Sequence, residues 1–222
     1  VYKRQVNMNN RRTLATELGV FETFSPDLPD AYRKSPFVLL ANIGPDLQHH
    51  VLDQMKRPRF VVADTMDLWI NIAKPELLQL LRQVDGVVLN NSEAEQLTGV
   101  RNPITACRKI LGMGPKFAIN KKGEHGAILV HRDGVATMPA YPAEVHQVVD
   151  PTGAGDSFAG GVMGYLAGAD RTDFEALQTG LAWGTVTASF TIESFGLDGL
   201  ATLSRADVER RMREFQNHAR VG

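Results

Sequence analysis

Five short and continuous apolar runs punctuate the chain from Pro36 onward: Phe37–Ala41, Phe60–Ala63, Val87–Leu89, Phe117–Ile119 and Ala127–Val130. Most are separated by segments of helical character, namely Asp46–Lys56, Pro75–Val84 and Pro103–Met113. A strand that is apolar at every position has both faces covered. The alternation therefore predicts an α/β fold, with a mostly parallel sheet between two layers of helices. The last two runs lie too close together for a crossover helix, so a hairpin is expected there. The C-terminal third reads as three helices, Gly155–Ala167, Asp173–Ile192 and Arg205–His218.

The first 30 residues have a different texture. Thr13–Phe21 alternates loosely between apolar and polar, and Ser25-Pro26-Asp27-Leu28-Pro29 is a turn-forming stretch. A small β element followed by a linker is expected. The opening Val1-Tyr2-Lys3-Arg4-Gln5-Val6 reads as the middle of a strand, with no initiator Met and no cap. An N-terminal portion, and with it part of any active site, is expected to be missing.

At 222 residues, 43% of them hydrophobic, the chain can bury a core without disulfide or metal staples. Cys107 is the single cysteine, which excludes an intrachain disulfide and suits a reducing compartment. A net charge of -1 supplies no electrostatic reason to bind nucleic acid or a membrane surface. No apolar run approaches the ~20 residues that span a bilayer, and the cytoplasm is the expected location.

Four of the apolar runs end in a polar residue: Asn42, Asp64, Asn90 and Asn120. In open α/β sheets, ligands bind beyond the carboxyl ends of the strands, so four such groups can line one crevice. The alternative is that they cap the following helices or turn the chain. Asp64, Thr65, Asp67 and Trp69 lie past one strand end, within reach of a substrate bound there.

The most informative stretch runs from Val148 to Gly161, VVDPTGAGDSFAGG. An apolar approach leads into a turn of minimal side chains, and then a helix begins. Gly153, Ala154 and Gly155 let a ligand approach the backbone, and the unpaired N–H groups and dipole of the helix start attract an anion. Charge on a transferring phosphoryl group is stabilised by such an end. Asp156, just inside it, is placed to take a proton from an attacking alcohol. Taken alone, it is equally a helix-start acid that favours the dipole. Gly160, Gly161 and Gly164 keep one helix face bare for close packing.

Other chemistries find no support. His49-His50 has no further His or Cys at zinc spacing, no Gly-x-Gly-x-x-Gly follows the first strand, and neither a Walker A sequence nor a Gly-x-Ser-x-Gly elbow is present. Trp69 and Trp183 read as core or rim residues.

The segment from Asp150 to Met163 resembles, without a gap, the C-terminal signature of the ribokinase-like (PfkB) carbohydrate kinases. Asn90-Asn91-Ser92-Glu93 is similar to that family's Asn-x-x-Glu motif, and Lys121-Lys122-Gly123-Glu124-His125-Gly126 to its Gly-x-x-Gly nucleotide turn. The resemblance implies a three-layer ribokinase-type fold. Residues 1–30 would be the remaining part of a β lid, and 31–222 the nucleotide-binding and catalytic core. It implies transfer of a phosphoryl group from ATP to a sugar or nucleoside hydroxyl. Asp156 would be the base, and the amides of Gly153, Ala154 and Gly155 the anion hole. Glu93, with Asn90, would hold Mg²⁺–ATP, largely through water. Lys121, Gly123, Glu124 and Gly126 would lie along the nucleotide. Asp150 and Thr152 match positions that bind a monovalent cation, implying K⁺. Asn42 and Asp64 are the candidates to touch the acceptor, and the lid offers a homodimer contact. The family's opening strand and its substrate-touching glycine pair are not visible. A non-catalytic nucleotide-binding module is the second reading.

From residue types alone, Glu93 stands in the first turn of a helix opened by Ser92, with Ser92 and Glu95 at capping-box spacing. Lys121 and Lys122 equally suit a solvated turn.

Overall fold

The computed structural model describes residues 2–5, 11–15 and 17–218. Val1, Val6, Thr16 and the last four residues, to which some expectations above refer, lie outside them. β1 (Tyr2–Gln5) and β2 (Arg11–Ala15) pair antiparallel as a two-stranded sheet of their own. The loose alternation expected to run on to Phe21 gives way to a 3₁₀ turn over Gly19–Glu22. Turn chemistry at Gly19 (φ 57°) overrides the pattern.

Six further strands form the main sheet among the described residues: β3 (Phe37–Leu40), β4 (Phe60–Asp64), β5 (Gly86–Asn90), β6 (Phe117–Lys121), β7 (Ala127–His131) and β8 (Gly134–Met138). They lie in chain order from β3 to β8. β3 to β6 are parallel, while β6, β7 and β8 form an antiparallel meander. The expected hairpin is therefore present at β6–β7. β8, half-buried and exposed at alternate positions on the sheet edge, carries too weak a pattern to be read in advance.

Strand side chains alternate between the two faces. Val61, Ala63, Val87, Leu89 and Ala118 join one core with α1 (Pro45–Gln54), α2 (Asp67–Ile72), α3 (Lys74–Leu81), α4 (Asn91–Thr98) and α5 (Pro103–Leu111). Phe60, Val62, Val88, Phe117 and Ile119 join the other, against α6 (Ala154–Ala169) and α7 (Phe174–Thr191). This is the expected three-layer architecture. Its last elements, α8 (Asp198–Ala201) and α9 (Arg205–His218), follow α7, and α9 packs on that helix around Phe190, Met212 and Phe215. No helix among the described residues is long and apolar enough to cross a membrane.

The helix starts follow local chemistry. Asn102 accepts from the Thr105 amide ahead of Pro103, and Asp173 accepts from the Ala176 amide ahead of α7. α4 corrects the expected boundary. Its cap is Asn90 rather than Ser92, and the reciprocal box joins Asn90 to Glu93 rather than Ser92 to Glu95. Asn90 wins because it is the last residue of β5, where the backbone is already extended. The glycine expectation in α6 is also corrected. Only Gly161 is a contact point: an added Cβ there would sit 2.9 Å from both Gly184 Cα and the Trp183 carbonyl oxygen. Gly160 and Gly164 face open space.

Candidate active site

β4, β5 and β6 run parallel and in register, so their carboxyl ends finish side by side. The Lys121 ammonium, at the end of β6, lies 2.9 Å from Asp64 Oδ2 at the end of β4. Asp64 Oδ1 also accepts the Thr65 amide at 2.7 Å. Burial pushes the Asp64 carboxyl above its ordinary range; Lys121 opposes the shift, and the Asp156 charge adds to it. Gln48, buried on the inner face of α1, donates to the carbonyls of Leu40, Ala41 and Asp64 and ties the ends of β3 and β4 together. No sequence motif marks Gln48. The only available signal was a polar residue on a helix face that carries Pro45 and Val51 inward.

Glu93 is buried, and that burial pushes its carboxyl up to about 7, although the Asn90 amide and Lys121 both favour the charged form. Asp64 and Asp67 raise it further. Lys121 thus interacts with a set of carboxylates that share the same end of the sheet. Its ammonium also touches the start of α6: a Cβ on Gly155 would fall 3.1 Å from Lys121 Nζ. Gly153, in the left-handed region at φ 81°, reverses the chain into that helix. The Ala154 amide turns back to the Pro151 carbonyl at 3.3 Å. The amides of Gly155 and Asp156 have no partner within the helix, as at any helix start. Asp156 is exposed in the first turn.

A cavity of about 630 Å³ opens beside this helix start. Lys121, Gly123, Glu124, Gly126, Ala154 and Gly155 line it, together with apolar side chains of Val148, Phe158, Ala188 and Ile192. The β6–β7 turn comes this close because Gly126 has φ 82°, where any Cβ would overlap the Met138 carbonyl. Tyr141 and Pro142 after β8, and Ser189 of α7, complete the walls, and sequence reasoning named none of the three.

Other expected residues sit elsewhere. Asn120 is fully buried, with the Cys107 thiol as its neighbour, and alternation along β6 turns it from the face that carries Lys121. It does not line the crevice. Asn42 is exposed beyond β3, where it accepts from Trp69 Nε1 at 3.0 Å and contacts Met66. Asp150 Oδ1 accepts the Thr152 amide in a local turn, and the Val149 and Asp150 amides tie that turn to the Ile192 carbonyl.

A second cleft of about 660 Å³ lies at the amino ends of β4 and β6. Its charges are largely matched by the Arg59–Asp170, Lys116–Asp85 and Arg171–Asp173 pairs. It lies at the wrong end of a parallel sheet for a ligand site.

A nucleotide fits the first cavity by volume, by its apolar walls and by the cation and helix start at one end. The buried carboxylates Asp64 and Glu93 are oxygen donors of the kind a divalent ion takes. Among the described residues no group of three or more His, Cys, Asp or Glu is placed to enclose a metal. These carboxylates suit an ion held mainly by phosphates and water.

Solved structures share this architecture. A nucleoside kinase from Methanocaldococcus jannaschii, described as a ribokinase-family member, superposes with a TM-score of 0.68 at 22% identity, covering 88% of this chain and 60% of that one. Aminoimidazole riboside kinase from Salmonella enterica gives 0.65 at 19% identity, covering 81% and 65%. The fold is the ribokinase fold. Residues 39–202 match the model of the pfkB family carbohydrate kinases, and the chain belongs to that family. A cytidine kinase from Thermococcus kodakarensis is 32% identical over 159 residues, 70% of this chain and 55% of its own length. An adenosine kinase from Saccharomyces cerevisiae is 28% identical over 208 residues, 84% and 59% respectively. The chain therefore spans little more than half the length of these relatives.

Proposed function

We propose that the protein transfers the γ-phosphoryl group of ATP to a hydroxyl of a sugar or nucleoside. The observation that carries this reading is the seating of the Lys121 ammonium against Gly155. It brings a cation to the helix N-terminus that lines the cavity, one residue ahead of Asp156. Phosphoryl transfer asks little more of a protein than positioning, charge stabilisation and a base. Asp156 takes the acceptor's hydroxyl proton as its oxygen bonds to the γ-phosphorus, and the bond from that phosphorus to the β-phosphate oxygen breaks, releasing ADP. The amides at the α6 start and Lys121 balance the charge on the equatorial oxygens. Gly123, Glu124 and Gly126 border the nucleotide.

Bound Mg²⁺ would neutralise the phosphates, held largely through water by Glu93 with Asn90 beside it. The Asp150–Thr152 turn is our candidate for a K⁺ site. Asn42 and Asp64 remain our candidates to touch the acceptor, and the N-terminal strands β1 and β2 our candidate for part of a lid that pairs two copies. Relatives named as a cytidine kinase and an adenosine kinase favour a nucleoside acceptor, and we expect the enzyme in the cytoplasm.

The test is ADP release by the full-length protein against a panel of pentoses, hexoses and nucleosides. Asp156→Asn should lower kcat by ~10²–10⁴-fold and leave ATP affinity intact. Wild-type turnover in that variant would remove Asp156 from the role of base. ATP binding without turnover on any acceptor would show a non-catalytic module.

A further inference from the structure

Beside the cavity, a half-buried arginine is held by two of its walls. Arg211 of α9 places its guanidinium carbon 3.6 Å from the centre of the Phe190 ring and 5.2 Å from that of Tyr141. Its Nη1 donates to Ser189 Oγ at 3.1 Å and its Nη2 to Glu193 Oε2 at 2.9 Å. Ser189 and Tyr141 line the cavity from opposite elements, one on α7 and the other in the loop after β8. Ser189 is otherwise tied only to its own helix, through the Val186 carbonyl at 2.7 Å. Tyr141 is steadied by Phe215 at 6.1 Å and by Glu214, both also on α9.

A planar guanidinium stacks on rings and donates in fixed directions, so it holds two surfaces at a set separation where a lysine would not. The geometry points to Arg211 as a positioning residue that sets the width of the cavity and, through it, the choice of nucleotide base. The inference rests on the cavity's being the ATP site. In this reading the phosphates lie against Lys121 and the α6 start, and the base lies against the walls that Tyr141 and Ser189 supply. Guanine carries a 2-amino and a 6-oxo group where adenine has a 2-hydrogen and a 6-amino group, and a cavity of fixed width separates the two.

The experiment measures ATP and GTP binding by titration calorimetry, and KM and kcat for both, in the full-length wild type, Arg211→Met and Arg211→Lys. In Arg211→Met the Kd and KM for ATP rise about tenfold, the change expected for one lost charge-assisted contact. The ATP:GTP preference falls, while kcat at saturating ATP and the acceptor KM stay within about twofold of wild type, a split that general loss of structure would not produce. Arg211→Lys recovers part of the ATP affinity without the base preference. Should Arg211→Met fail to fold, Arg211→Lys and Ser189→Ala carry the same test. An unchanged ATP:GTP ratio in the folded variants, or a matching loss in kcat and acceptor KM, overturns the role of Arg211. A wild type that binds no ATP overturns the nucleotide reading instead.

Discussion

Lys121 and Asp64 form an ion pair at 2.9 Å across the ends of β6 and β4, with both side chains largely withdrawn from water. Each member of such a pair depends on the other, because a buried charge without its partner is far costlier than the pair. Lys121→Met leaves Asp64 uncompensated and should destabilise the fold by roughly 3 kcal/mol at pH 8. The loss should shrink on acidification, because Asp64, with its proton affinity already raised by burial, then becomes neutral. Urea unfolding at pH 8 and pH 5 checks this. If the cavity is the ATP site proposed above, the same variant should also weaken ATP binding, since Lys121 lines it.

Glu93 gives the nucleotide-free protein a pH dependence of defined sign. The unfolded carboxyl loses its proton near pH 4.5, the folded one near pH 7. Between these values the native state holds the extra proton, so stability is greatest at the acid end and declines as the pH rises towards 7. The total change is roughly 3 kcal/mol from this group. Glu93→Gln, which retains a capping partner for Asn90, should flatten that decline in thermal melts taken from pH 4.5 to 8. An equally steep decline in the variant would exclude Glu93 as its source.

Two neighbouring glycines of α6 should respond oppositely to the same change. Gly161→Ala drives a methyl against Gly184 Cα, the Trp183 carbonyl and Thr187 Oγ1. Prying α6 from α7 in this way costs about 1–3 kcal/mol. Gly160→Ala points into open space and should stabilise the helix by about 0.5–1 kcal/mol. Paired denaturant melts measure both, and a shared sign would contradict the packing described for this helix.

Cys107 is buried in α5, and burial pushes its thiol up to about 11. The thiolate is the reactive form, so the native protein at pH 8 should resist iodoacetamide at least tenfold better than a urea-unfolded sample. Mass spectrometry of timed samples measures the ratio. Equal rates would mean that α5 opens readily from the sheet.

Local chemistry made much of this protein legible before its tertiary structure. Apolar runs that hide both faces specify buried parallel strands, and Gly153-Ala154-Gly155-Asp156 specifies a tight turn into a helix start, because both are properties of a few adjacent residues. Where neighbours disagreed, position in the fold arbitrated. Asn90 outcompeted Ser92 as a cap because it ends a strand, and Asn120 was lost to the core because β6 alternates and Lys121 already held the other face. Only the folded chain could join Lys121 to Asp64, 57 positions apart, seat its ammonium on Gly155, or set Arg211 beside the cavity between Phe190 and Tyr141. Such contacts depend on strand register and helix packing, which a linear pattern does not encode.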